Sequence, residues 1–121
     1  MSLCAIWFYL GATSEGEHMK CTLLSRRKVV GHVEITVRED EYYIDQLYVE
    51  PPFRGHGYAT RLLKQVPLCG RTRNSVTAYV SPFGLGGGRL ASKDLFRFYK
   101  RHGMRRITRG KNWVTGESKD L

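Results

Sequence analysis

With 121 residues, 41% of them apolar and 12% aromatic, the chain has the size and composition of one globular domain with a core, and is short for two. No run approaches the roughly 20 apolar residues of a membrane-crossing helix, so no membrane partner is expected. The formal charge of +9 is uneven, with ten Lys/Arg against eight Asp/Glu in residues 1–88 and ten against three in residues 89–121. That basic last third reads either as an attractor of nucleic acid or an acidic protein, or as a solvated face with no partner.

Leu3 to Leu10 is apolar but has no basic leader and no cleavage site before Gly11-Ala12. It reads as a first strand and not a signal peptide, which places the protein in the cytoplasm, as a monomer or a homodimer. Gly11 to His18 is a polar, turn-rich connection, Met19 to Leu24 a second strand and Ser25 to Lys28 a basic turn. From Val29 to Val37 the alternation puts Val29, Gly31, Val33, Ile35 and Val37 on one face, and Val30, His32, Glu34 and Thr36 on the other. Arg38 to Glu41 is a charged hairpin, so the first half is an antiparallel meander. Cys4, Cys21 and Cys69 form no C-x-x-C pair, and His18, His32, His56 and His102 lack ligand spacing. No metal or disulfide frame is expected, and the histidines read as surface or satisfied groups.

Tyr42 to Val66 organises the rest. Tyr43, Ile44, Leu47, Tyr48 and Val49 are too apolar for a one-sided strand and predict a central one, stopped by Pro51 and Pro52. From Gly57 the apolar spacing becomes helical: Tyr58, Leu62 and Val66 form one row, Ala59 and Leu63 the next, with Arg61, Lys64 and Gln65 outward and Pro67 closing the helix. Arg54-Gly55-His56-Gly57-Tyr58-Ala59 therefore sits where a strand hands over to a helix N-terminus. First-turn amides there lack intrahelical partners, the glycines carry no Cβ, and Arg54 adds a cation. Physically this is a phosphate cradle.

After a polar connection, Leu68 to Ser75, a strand at Val76–Val80 runs parallel to the central one, because a helical crossover joins them. Ser81 to Gly88 reads as a mobile loop over a cleft. Its Gly84-Leu85-Gly86 is not a dinucleotide fingerprint, since Arg89 stands at the sixth position. Ser92 can N-cap a second helix with Asp94 in its first turn and Leu95, Phe96, Phe98, Tyr99 and His102 on its apolar face. Gly103 and Met104 fit a Schellman ending. Arg105–Thr108 and Asn112–Thr115 are expected as last strands paired through Arg109–Lys111, with residues 116–121 frayed.

Arg54-x-x-Gly57-x-Ala59 resembles the R/Q-x-x-G-x-G/A signature of the GNAT superfamily of N-acetyltransferases. Leu47-Tyr48-Val49-Glu50-Pro51 resembles the family's L-x-V-x-P strand end, and Phe98 to Met104 its F-Y-x-x-x-G-F segment. The resemblance spans roughly residues 19–115. It implies an α/β (α+β) fold within a single domain, 1–121: a mixed, mainly antiparallel sheet with two main helices and a splayed central strand pair. There are two departures. The helix pair that many members carry between their first strands is missing, and Ser92 stands where an asparagine often contacts the cofactor.

The resemblance implies an acetyl-coenzyme A-dependent N-acetyltransferase that moves the acetyl group directly to a primary amine, on a protein or other macromolecule or on a smaller acceptor. Arg54, Gly55, His56, Gly57, Tyr58, Ala59 and Thr60 would hold the pyrophosphate. The main chain of Leu47, Tyr48 and Val49 would pair with the pantetheine arm and polarise the thioester carbonyl. Tyr99 is the implied general acid, or else a core aromatic on an apolar helix face. For the base, Glu41 lies thirteen residues before Arg54, the spacing some members use; Asp45 lies deeper in the strand, Glu34 is a third choice, and water could serve instead. The alternative is a non-catalytic module of this fold that binds nucleic acid or an acidic protein through its basic last third.

Overall fold

The computed structural model describes residues 3–39, 41–69, 75–79, 92–107 and 113–121. An antiparallel meander, β1 (Leu3–Thr13), β2 (Gly16–Ser25), β3 (Lys28–Arg38) and β4 (Glu41–Val49), precedes α1 (Tyr58–Gln65). Next come β5 (Ser75–Tyr79), α2 (Ser92–Arg101), β6 (Arg105–Arg106) and β7 (Trp113–Glu117). The strands make one seven-stranded sheet in the order β1-β2-β3-β4-β5-β7-β6, with β4 at its centre. β4 and β5 pair in parallel, because α1 carries the chain back across the sheet, and the other described pairs are antiparallel. The mixed α/β sheet with two main helices is the fold class the sequence predicts.

The β4–β5 ladder runs from Glu41↔Ser75 to Ile44↔Ala78 and stops, whereas β4 continues to Val49. Among the described residues the pairing of the central two strands therefore ends at Ile44.

Two one-residue bulges change which side chains face the core. In the β2–β3 ladder, Leu23 pairs with Gly31 and Leu24 with Val29, so Val30 is the extra residue. The alternation predicted for Val29–Val37 is corrected there: Val30 is wholly buried and Val29 is 48% exposed. In the β3–β4 ladder, Glu34 pairs with Gln46 and Ile35 with Ile44, leaving Asp45 as the extra residue. Before this bulge Tyr42 and Ile44 are buried, and after it Leu47 and Val49 are. The bulge accounts for a run that alternates with neither one phase nor the other.

The polar connection expected at Gly11–His18 is a correction too. β1 continues through Thr13, and only Ser14 and Glu15 turn before β2. Polar side chains do not prevent strand formation in an edge ribbon, where the ladder is made by the main chain. Gly16 permits the turn, with φ +135° and a carbonyl of Val37 2.6 Å from where a Cβ would sit.

α1 lays Leu62 and Leu63, and the 3-10 turn that follows it lays Val66, in the core with Cys21, Val33, Ile35 and Leu47 of β2–β4. Burying each of these leucines contributes about 1.5–3 kcal/mol. Gly31 allows the approach, since a Cβ there would lie 2.3 Å from the Tyr48 carbonyl and 3.2 Å from Leu62 Cδ1. α2 buries Leu95, Phe98 and Tyr99. It ends in the predicted Schellman motif: Met104 N–H donates to Tyr99 O (3.0 Å), Gly103 N–H to Lys100 O (3.1 Å), and Gly103 has φ +80°.

The final residues are not frayed. Gly116 and Glu117 pair with Val76 and Ser75, Ser118–Asp120 form a 3-10 turn, and Leu121 packs against the core. The Ser81–Gly88 loop and the Arg109–Lys111 connection lie outside the described residues, as do the side chains of Ser92 and Asp94. All three cysteines are free. Among the described residues, no helix is long and apolar enough to cross a membrane.

Candidate active site

Between β4 and α1 the chain makes a short 3-10 turn, Pro51–Phe53, and then passes through two left-handed glycines, Gly55 (φ +81°) and Gly57 (φ +80°). Gly57 caps α1, and the first helical bond runs from Arg61 N–H to Gly57 O at 3.2 Å. No backbone acceptor among the described residues takes the N–H groups of Gly55, His56, Gly57, Tyr58, Ala59 or Thr60. Space above both glycines is open, with no atom within 4 Å of a built Cβ. Tyr58 packs edge-on against Phe53 (6.2 Å between centroids) and His56 stands exposed near it. The loop therefore offers a row of main-chain donors at a helix start, where the dipole favours an anion.

Arg54 flanks this row. Its Nε donates to Val49 O at 2.8 Å, and its guanidinium lies 5.7 Å from the centre of the Tyr48 ring. One terminal nitrogen, Nη2, is buried without a partner. A buried guanidinium donor with no acceptor is costly in an otherwise satisfied protein, and a bound anion would relieve it. The amides, the open glycines and this orphan donor together fit the pyrophosphate of a coenzyme A-type ligand. The Val49 carbonyl, one of the main-chain groups expected to face pantetheine, accepts the Arg54 hydrogen bond. Leu47 and Val49 bury their side chains, and their main chain lies in the stretch of β4 that has no β5 partner among the described residues. Thr60 accepts or donates a hydrogen bond to His102 Nε2 (3.1 Å), tying the start of α1 to the end of α2. Burial, then the charges of Lys64 and Arg101, lower the pKa of His102.

A cleft of about 500 Å³ opens on the other side of the β4 bulge, lined by Glu15, Thr36, Arg38, Tyr43, Ile44, Asp45 and Trp113. Two of these carry carboxylates, and two are aromatic. Asp45 Oδ2 accepts the Thr36 hydroxyl at 2.6 Å. Burial raises the Asp45 pKa, with Glu34 and Glu15 pushing the same way and the Thr36 hydrogen bond and His18 opposing. Sequence reasoning named Asp45 but missed this cleft, because its walls come from β3, β4, β7 and the β1–β2 turn.

Glu41 sits at the start of β4, where its carboxylate accepts Thr77 Oγ1 (2.8 Å) and Ser75 Oγ (3.1 Å). Burial would raise its pKa, but the hydroxyls of Tyr43, Thr77 and Ser75 and the charge of Arg38 outweigh that and lower it. Glu34 lies 3.6 Å from His32 Nε2. Tyr99 is 5% exposed, edge-on to Phe98 at 5.2 Å, and burial raises its phenol pKa. Its hydroxyl has no hydrogen-bond partner among the described residues. Among those residues there is also no cluster of three His, Cys, Asp or Glu that could hold a metal.

Residues 5–67 match the model of the acetyltransferase (GNAT) family. No curated protein matches the chain by sequence. Solved structures match the fold. The PaiA N-acetyltransferase of Thermoplasma acidophilum, in complex with coenzyme A, superposes with a TM-score of 0.63 at 15% identity, over 79% of this chain and 57% of that one. Tetrahymena GCN5 gives 0.63 at 14% identity, over 86% and 70%. An acetyltransferase from Thermus thermophilus gives 0.65 at 14% identity, over 83% and 64%. This chain thus spans 57% of the length of the first and 64% of the last.

Proposed function

The chain belongs to the GNAT family of acetyltransferases, and on that premise we propose that it is an acetyl-coenzyme A-dependent N-acetyltransferase acting on a primary amine held beside Asp45. One observation carries the reading: six consecutive main-chain amides, Gly55 to Thr60, have no described acceptor. With the open glycines and Arg54 Nη2, they supply the donors a diphosphate needs. When bound, acetyl-coenzyme A supplies an acetyl group activated as a thioester.

The chain's own residues divide the remaining work. Gly55 to Thr60 and Arg54 hold the diphosphate, and the edge of β4 beyond Ile44, which has no partner on its β5 side among the described residues, offers main-chain groups to an extended arm. In the cleft, Glu15 and Asp45 favour the entry of an ammonium, and Tyr43, Trp113 and Ile44 suit its carbon body. An amine must lose a proton to become a nucleophile, and Asp45, with its raised pKa, accepts it at the carboxylate. Glu41 is less suited, because its oxygens already receive hydroxyls. Tyr99, kept neutral by burial, would give its phenol proton to the departing sulfur, and the second proton that the nitrogen sheds on becoming an amide would make up that loss.

A two-residue turn replaces the usual helix pair, and Lys100, Arg101, Arg105 and Arg106 are exposed. Both features favour an amine carried on a larger, acidic body, such as a protein. Titration calorimetry tests the reading. Acetyl-coenzyme A should bind at micromolar concentration, and Arg54→Glu should weaken it by about 30-fold or more, as loss of a desolvated charge contact does. No heat at high micromolar ligand would overturn it.

A further inference from the structure

Four hydroxyl, imidazole and carboxylate groups form one hydrogen-bonded row across the cleft side of β1–β4. Thr13 Oγ1 lies 2.8 Å from His18 Nε2, His18 Nδ1 lies 3.0 Å from Thr36 Oγ1, and Thr36 Oγ1 lies 2.6 Å from Asp45 Oδ2. The register builds it. His18 and Thr36 are direct partners in the β2–β3 ladder, and the β4 bulge makes Asp45 the unpaired residue facing them.

We infer that His18 and Thr36 are positioning residues for Asp45, which hold its carboxylate in the cleft with one oxygen committed and the other left for the acceptor amine. The donor arithmetic gives the direction. Thr36 has one hydroxyl proton, and an ionised carboxylate can only accept, so that proton goes to Asp45. The contact with His18 must then be donated by the imidazole, which fixes the proton on Nδ1. Thr13 accepts the Glu15 N–H at 3.1 Å, so its own hydroxyl proton is available to Nε2. The donors run Thr13 to His18 to Thr36 to Asp45. Thr36 is buried, so water does not easily replace it. No other hydrogen bond engages Asp45 among the described residues. Charged and titratable groups facing it are His18 from β2, Glu34 and Arg38 from β3, Tyr43 from β4 and Glu15 from the β1–β2 turn.

The catalytic consequence rests on the transferase reading, but the geometry can be read without turnover. In long-range proton–nitrogen NMR spectra of the full chain labelled with 15N, neutral His18 should appear as the Nδ1–H tautomer. Thr36→Val removes the acceptor and should release it to the Nε2–H form. A carbon-detected titration of Asp45 should show its midpoint moving up by about half a unit or more in Thr36→Val, which removes the donor to the charged form, and in His18→Ala, which leaves the Thr36 hydroxyl free to turn away from the carboxylate. Thr36→Ser and His18→Asn, whose amide can donate in place of Nδ1–H, should restore it. An Nε2–H tautomer in the unaltered chain, or an Asp45 midpoint that none of these substitutions moves, would overturn the inference. Calorimetry separates the two ideas: failure to bind acetyl-coenzyme A would strike the transferase reading and leave the tautomer result intact.

Discussion

The cradle and the cleft lie on either side of the β4 bulge, and they are built in opposite ways. The cradle is made from one short stretch, Arg54 to Thr60, whose donors are main-chain amides fixed by two left-handed glycines and a helix start. The cleft has side chains from β3, β4, β7 and the β1–β2 turn, brought together only by sheet register. A backbone site tolerates change in its side chains but not a Cβ on its glycines. A side-chain site depends on single functional groups, and each can be removed separately.

Substitutions should therefore separate affinity from turnover. The largest effect is expected from Asp45→Asn, which should lower kcat/KM by about 10²- to 10⁴-fold while acetyl-coenzyme A affinity in calorimetry stays the same. Tyr99→Phe should come next, with turnover reduced and affinity again unchanged. Equal turnover would remove Tyr99 from the acid role. On the other side, Gly57→Ala should weaken acetyl-coenzyme A with turnover of the bound complex nearly preserved. Its Cβ meets no protein atom but projects into the open space of the cradle, and the left-handed φ costs about 1–2 kcal/mol of stability.

The smallest effect sharpens the contrast between two carboxylates on one strand. Asp45 has a raised pKa in the fold, so its ionisation destabilises the protein as pH rises above the ordinary carboxylate range. Asp45→Asn should melt at a higher temperature than the unaltered chain at neutral pH, with the gain fading in acid. Glu41 has a lowered pKa, so it stabilises at neutral pH and this is lost as pH falls through the carboxylate range. Glu41→Gln should melt at a lower temperature at neutral pH. Melting curves at pH 7 and pH 4 check both signs.

This difference in construction decides what could be read from the sequence. Strand, glycine turn and helix at Tyr42–Val66 are neighbours in the chain, so spacing alone placed β4, α1 and the cradle. The same holds for the Gly103 ending, where φ +80° needs only a glycine in the right place. The bulges at Val30 and Asp45 were not legible. Each inserts one residue into a ladder whose partner strand lies elsewhere in the sequence, and the burial phase changes behind it. His18 read as a satisfied histidine, and it does bond Thr13 and Thr36. That those bonds lead to Asp45 depends on register, which no local pattern encodes. The tail was misread because its pairing with Val76 and Ser75 is likewise non-local.

The most direct test of the central claim is calorimetric titration of the unaltered chain and of Gly57→Ala with acetyl-coenzyme A under identical conditions. Micromolar binding that the added methyl group weakens by tenfold or more, an effect of about 1.4 kcal/mol, is the predicted result. Equal affinity for both proteins, or none for either, would contradict it.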